Sequence, residues 1–247
     1  MKKKFVFFLF SPLFLYPKEI SFLEKGKNAC FILQKSYPES IKNCSDEFLI
    51  LSDDRKILLY DSLLKRDIES MASNPDVLSV FYFPYNQGIK NDAGRARLYP
   101  LLEITYGKTK KEVQKNLKKL DFLGQTLFFN IKNGAYNAFQ KIILKLKKLI
   151  QKKPELKKYL LPAAGTFSYR KISGTDRYSA HSFGIAVDLN VKYSDYWLWH
   201  KDWEKQTYSY PVEIVKIFES EGFIWGGRWE HFDTMHFEYR PEFQKKD

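Results

Sequence analysis

Apolar positions recur along the chain at two different periods. From Tyr136 to Ile150 the spacing is helical: Tyr136, Phe139, Ile142, Ile143, Leu146, Leu149 and Ile150 form one stripe, and lysines fill the other face. Pro154 closes that pattern. Pro211 to Ser220 reads as a second helix, with proline in its first turn and Gly222 just past its end. Leu63, Leu64, Ile68 and Met71 predict a helix over 61–73 that Asn74-Pro75 ends. Thr109-Lys-Lys-Glu112 is a capping box, and Val113, Leu117 and Leu120 extend one apolar face beyond it. Strand-like runs lie at Leu78–Tyr85, Thr126–Ile131 and Ile185–Leu189. Turn-forming residues gather at Asn86-Gln87-Gly88 and Asn91-Asp92-Ala93-Gly94. There is no internal repeat and no Gly/Ser- or Pro-rich linker. A boundary is placed between Gly124 and Gly134, dividing the chain into 1–22, 23–130 and 131–247.

The first segment changes the picture of compartment. Met1-Lys2-Lys3-Lys4 precedes an apolar run from Phe5 to Tyr16, which resembles a secretory signal or an N-terminal anchor. The run falls short of the roughly 20 residues that span a bilayer. Export to the periplasm or cell envelope is the expectation, with membrane association through this segment. Cys30 and Cys44 suit an oxidising compartment and are expected to form a disulfide. Two cysteines exclude a disulfide-dense scaffold and a multi-cysteine zinc module. The chain has 247 residues and a net charge of +12, mostly from dispersed lysines. Export and the lack of a nucleic-acid motif argue against nucleic acid and for an anionic envelope as the attracting surface.

Chemistry concentrates between Phe167 and Glu238. In Ser179-Ala-His181-Ser-Phe-Gly184-Ile-Ala186-Val-Asp188, the residues His181 and Asp188 are seven apart. On a straight strand that separation puts them on opposite faces, so the chain must bend between them, and Gly184 is where it can. Downstream, Asp233-Thr-Met-His236-Phe-Glu238 puts His236 and Glu238 on one strand face, with Asp233 at the entry. Two imidazoles and one carboxylate form a zinc set that leaves a coordination position open. Asp233 is then a carboxylate not needed as a ligand, as a general base should be. The bland alternative makes His181 and His236 core residues and Asp188 a strand-end cap.

The pattern Ser-x-His-x-x-Gly-x-Ala-x-Asp followed by Asp-x-x-His-Phe-Glu resembles the zinc peptidoglycan peptidases. These comprise the VanY- and VanX-type D-Ala-D-Ala carboxypeptidases and dipeptidases and the phage-type L-alanyl-D-glutamate endopeptidases. The resemblance spans about 167–238. It implies that His181, Asp188 and His236 bind Zn2+, that Asp233 is the base, and that Arg170, following an aromatic, holds substrate or the oxyanion. Arg177 competes for that role, and Ser179 and Glu238 are candidates for orienting ligands or substrate. An Asp rather than a Glu at position 233 and Trp225-Gly226-Gly227 resemble the endolysin branch, whereas Thr234-Met235 departs from its usual Pro before the His. His200 and His231 match no ligand position. Tyr193, Tyr196, Trp197 and Trp199 form an aromatic cluster suited to a core or to stacking on sugars.

The expected fold is α+β: a small antiparallel sheet carrying the zinc site, flanked by helices in the manner of the peptidase and hedgehog domains, with an additional N-terminal region. The expected activity is hydrolysis of a peptide bond in the peptidoglycan stem peptide, as an L-Ala-D-Glu or L,D-endopeptidase. The alternatives are a D-Ala-D-Ala carboxypeptidase and, from another class, a non-catalytic zinc-containing envelope module.

Overall fold

The computed structural model describes residues 21–61, 67–85 and 91–244. The predicted signal therefore lies outside the described residues except for its last two, where Ser21 caps the first helix and Phe22 opens it. The turn expected at 86–88 also lies outside. No helix among the described residues is long and apolar enough to cross a membrane.

Helix α1 (Phe22–Ser36) packs beside a three-stranded antiparallel sheet of β1 (Ile41–Cys44), β2 (Phe48–Leu51) and β3 (Lys56–Leu58). The expected disulfide is present: Cys30 and Cys44 tie α1 to β1. Of the helix predicted over 61–73, the described part is α2 (Ile68–Ser73), capped by Asp67. The strand predicted at Leu78–Tyr85 is instead helix α3 (Val77–Phe81). Asp76 and Ser79 form a capping box there, and this local hydrogen bonding outweighs the aromatic, strand-like composition. Helix α4 (Tyr99–Tyr106) follows.

The Thr109–Glu112 capping box does start a helix, α5 (Lys110–Lys115). The helical face does not continue through Leu117 and Leu120, because β4 (Leu117–Phe122) pairs residue for residue with β5 (Gln125–Asn130). Leu120 and Phe122 turn inward while Lys119 and Asp121 turn out, and Leu123 and Gly124 take the positive φ of a tight hairpin turn. Strand β5 is the one expected at Thr126–Ile131.

Helix α6 (Ala135–Lys152) buries the predicted stripe. Phe139 stands at its centre, with its ring against Phe122, Phe129, Phe218 and Phe223. It thereby joins the hairpin to the C-terminal elements. After the short helix α7 (Lys157–Leu160) comes the site sheet, ordered β6 (Ala186–Asp188), β8 (His236–Tyr239), β7 (Phe223–Trp225) and antiparallel throughout. Helix α8 (Val212–Glu219), predicted at Pro211–Ser220, covers it with Ile214, Val215 and Phe218. The fold is thus a mixture of helices and small antiparallel sheets, and one hydrophobic cluster runs from Ala29 to Tyr239.

Candidate metal centre and catalytic cleft

The register of β6 against β8 places Asp188 directly opposite His236 and Ala186 opposite Glu238. Directly opposed residues bring their Cβ atoms within about 5 Å, so strand pairing alone aligns the Asp188 carboxylate with the His236 ring. His181 arrives from a one-turn 3-10 helix, Ala180–Phe183, which Gly184 ends at φ +65°. The predicted bend is therefore real. A Cβ on Gly184 would sit 2.5 Å from Leu117 Cδ2, so glycine satisfies both the conformation and the packing. The Ser179 hydroxyl caps this turn by accepting from the His181 N–H.

Three donor atoms converge. His181 Nε2 lies 3.2 Å from His236 Nδ1 and 3.1 Å from Asp188 Oδ1, which is 2.9 Å from His236 Nδ1. Tetrahedral zinc with bonds of about 2.0–2.1 Å holds neighbouring donors roughly 3.3 Å apart. The set thus fits a small cation with modest opening. The far nitrogen of each ring has its own partner. His181 Nδ1 is 3.0 Å from the Thr166 carbonyl, and His236 Nε2 is 3.5 Å from Glu238 Oε2. Protons on those nitrogens leave His181 Nε2 and His236 Nδ1 as lone-pair donors facing one another.

The charges agree with a cation site. Burial disfavours ionised Asp188, yet His181 and His236 hold it well below the ordinary carboxylate range. Burial likewise opposes charge on His236, but hydrogen bonds to Asp188 and Glu238 push it up to about 10. Glu238 is fully buried. Arg97 grips it through Nε at 2.8 Å and Nη2 at 2.5 Å, and Arg240 stands 3.3 Å away. Arg240 in turn donates to Glu242, which accepts from Tyr37. A buried polar chain therefore runs from Tyr37, at the end of α1, to the candidate metal donors.

Asp233 lines the same cleft but stands outside the donor set. Its Oδ1 is buried with no hydrogen-bond partner. Burial pushes its carboxyl up to about 6, with His236 and His181 pulling against that and Asp188 adding to it. The loop that holds it is tight. The Asp233 N–H donates to the Gly226 carbonyl, and a Cβ on Gly226 would lie 2.5 Å from the Asp233 carbonyl oxygen. The Trp225 indole donates to the Thr234 carbonyl. The Thr234 hydroxyl accepts from the Asp195 N–H, so threonine anchors this turn.

The cleft encloses about 390 Å³. Arg170 lies on its wall with an exposed side chain, while Ser182 clamps its backbone by accepting from Arg170 N and donating to Arg170 O. Arg177 is also on the wall, bonded to Glu69. His231 lines the cleft but bonds to Asp92, and His200 bonds to Asp195, so neither joins the donors. The aromatic cluster is not core: Tyr196 and Trp197 are half-buried at the cleft and Trp199 is 53% exposed. Sequence reasoning left 23–130 without a role. The structure brings Glu69, Arg95 and Arg97 from that region to the cleft. One signal was available: arginine is scarce in this chain, with eight against 33 lysines, and Arg95 and Arg97 stand two apart.

Residues 173–239, which contain all three donors and Asp233, match a family model described as D-alanyl-D-alanine carboxypeptidase. No curated protein and no solved structure matches the chain significantly. The resemblance to the VanY-type peptidoglycan peptidases is thereby borne out over the segment that builds the metal centre, and it supports a peptidoglycan-related peptidase.

Proposed function

We propose that the chain is a zinc-dependent hydrolase that cleaves a peptide bond in the stem of peptidoglycan. The observation that carries this reading is the pairing of a three-donor set, 2.9–3.2 Å between atoms, with a buried carboxylate in the same cleft whose Oδ1 has no hydrogen-bond partner. His181, Asp188 and His236 would hold the metal. Zinc, when bound, supplies a Lewis acid that polarises the scissile carbonyl and acidifies water. Asp233 accepts the proton of the attacking water at its unpaired Oδ1 and passes it to the leaving amine. Arg170, fixed at its backbone and exposed on the cleft wall, steadies the oxyanion or a substrate carboxylate. Glu238 and Thr166 hold the two rings in the tautomers that ligate.

Asp233 in place of Glu and the Gly-Gly-Arg-Trp segment favour L-Ala-D-Glu or L,D-endopeptidase cleavage. The description of the matched family and the arginine-lined cleft favour the second reading, removal of a terminal D-Ala. The lysine-led apolar start of the chain supports export to the periplasm or envelope, on the same side as the substrate. Digestion of purified muropeptides, read by mass spectrometry, tests both readings. Loss of one terminal alanine identifies the carboxypeptidase, and fragments split within the stem identify the endopeptidase. A stem left intact by zinc-loaded protein removes both and leaves the non-catalytic envelope module.

A further inference from the structure

Four of the chain's eight arginines line the catalytic cleft, and among the described residues no lysine does. Arg97 is committed to Glu238, and Arg170 lines the cleft with an exposed side chain. The remaining two converge on one carboxylate. Arg177 Nη2 is 2.6 Å from Glu69 Oε2, and Arg95 Nη2 is 3.7 Å from Glu69 Oε1. Arg95 also reaches Asp92 at 3.2 Å. The partners differ in character. The Glu69 side chain is 59% exposed, in the first turn of the six-residue α2. The Arg177 side chain is only 11% exposed, and its Nε is buried with no hydrogen-bond partner.

We propose that Arg95 and Arg177 form a carboxylate-binding subsite for a free carboxylate of the stem peptide, whose place Glu69 holds in cis. The proposal rests on the peptidase reading for the identity of the ligand. Two guanidinium groups flanking one carboxylate, one per oxygen, is the geometry such a subsite needs. Glu69 fills it incompletely, since it engages Arg177 through Nη2 alone. A carboxylate entering side-on bridges Nε and Nη2 and gives the orphaned Nε an acceptor. Displacing Glu69 costs little, because its 59% exposed carboxylate regains water while the incoming carboxylate keeps Arg177 paired. Glu69 returns to solvent as the substrate seats. Two carboxylates of a stem peptide qualify: the C-terminal one and the α-carboxylate of its D-glutamate.

The test uses stem peptides with each carboxylate free or amidated. KM is measured with the zinc-loaded full chain, and binding by calorimetry with the Asp233→Asn variant. The expected result is that amidating one carboxylate weakens binding tenfold or more, and its position names the source. Glu69→Gln tightens the free-acid peptide by up to about fivefold and leaves the amide unchanged. Arg95→Gln and Arg177→Lys each narrow the difference between acid and amide. Arg177→Lys retains a charge at the buried position, so the test survives if Arg177→Ala does not fold. Equal binding of acid and amide, or a Glu69→Gln variant indistinguishable from the parent, overturns the proposal. Preference for the acid without cleavage of any peptide keeps the subsite and removes the peptidase reading.

Discussion

Arg97→Met tests the link between the N-terminal region and the metal centre. Arg97 is nearly buried and donates twice to the fully buried Glu238. Methionine keeps the length and apolar body of the side chain and removes both donors. Breaking a buried pair by deleting one member costs about 3–5 kcal/mol, because the surviving charge stays buried without compensation. Arg240 still reaches Glu238 Oε1 at 3.3 Å, so the low end, about 3 kcal/mol, applies. At about 2–4 °C per kcal/mol for a chain of this size, Tm falls by roughly 6–12 °C. The loss depends on pH. Burial opposes ionisation of Glu238, but the charge and hydrogen bonds of Arg97, then His236 and Arg240, hold its pKa well below the ordinary value. A depressed carboxyl pKa contributes stability that is present above the unfolded value of about 4.3 and is lost as pH falls through the folded value. The gap between parent and variant is therefore widest near neutrality and narrows below about pH 4. Because Glu238 also faces His236 Nε2, zinc affinity falls as well, by up to the roughly tenfold at the low end for loss of a ligating histidine's own partner, since Arg97 acts one step further out. Thermal denaturation across pH and zinc competition with a chelating dye read the two effects. A variant with parental Tm and parental zinc affinity would refute the claim that this chain of contacts supports the metal centre.

Other expectations follow from single contacts. Asp233→Asn should lower kcat by about 10²–10⁴ with zinc stoichiometry retained; full hydrolysis with zinc bound would remove Asp233 from the mechanism. In zinc-stripped protein, the raised pKa of Asp233, about 6, makes the folded state bind more protons than the unfolded one, so stability falls as pH rises from about 4 to 6. Denaturant titrations at these pH values should show that component missing in Asp233→Asn. Gly226→Ala forces a Cβ against the Asp233 carbonyl and should cut kcat tenfold or more while zinc still binds, since small displacements of a catalytic group cost about that much; unchanged kcat counts against the tight loop. Replacing both Cys30 and Cys44 with serine should cost about 3 kcal/mol through the loop of unfolded chain that the bridge closes. A melt insensitive to the substitution contradicts that contribution.

The candidate metal centre was legible because its geometry is local. An odd spacing plus Gly184 implied a bend between His181 and Asp188, and the alternation around His236 put Glu238 on its face. The stripe of α6 and the proline and glycine around α8 were equally readable, since each is a periodic pattern with its own punctuation. What was hidden depends on long-range contact. Arg97 meets Glu238 across 141 positions, and Glu69 meets Arg177 across 108, with no local pattern to announce either. Two elements were misread because another force prevailed over composition. The capping box at Asp76 made a helix of the aromatic run near Leu78, and pairing with β5 drew Leu117–Phe122 out of a helix. Composition left the aromatic residues near Trp199 open to core packing or to stacking on sugars; they are not core, and Tyr196 and Trp197 line the cleft.

The most direct test of the central claim measures zinc content and stem-peptide hydrolysis on one preparation of the full chain, before and after chelation and after zinc is restored. The account predicts one equivalent of zinc, cleavage that disappears on chelation and returns with zinc, and a His181→Ala variant that neither retains the metal nor cleaves. Hydrolysis that persists in fully stripped protein, or a fully loaded chain that leaves every stem peptide intact, would contradict it.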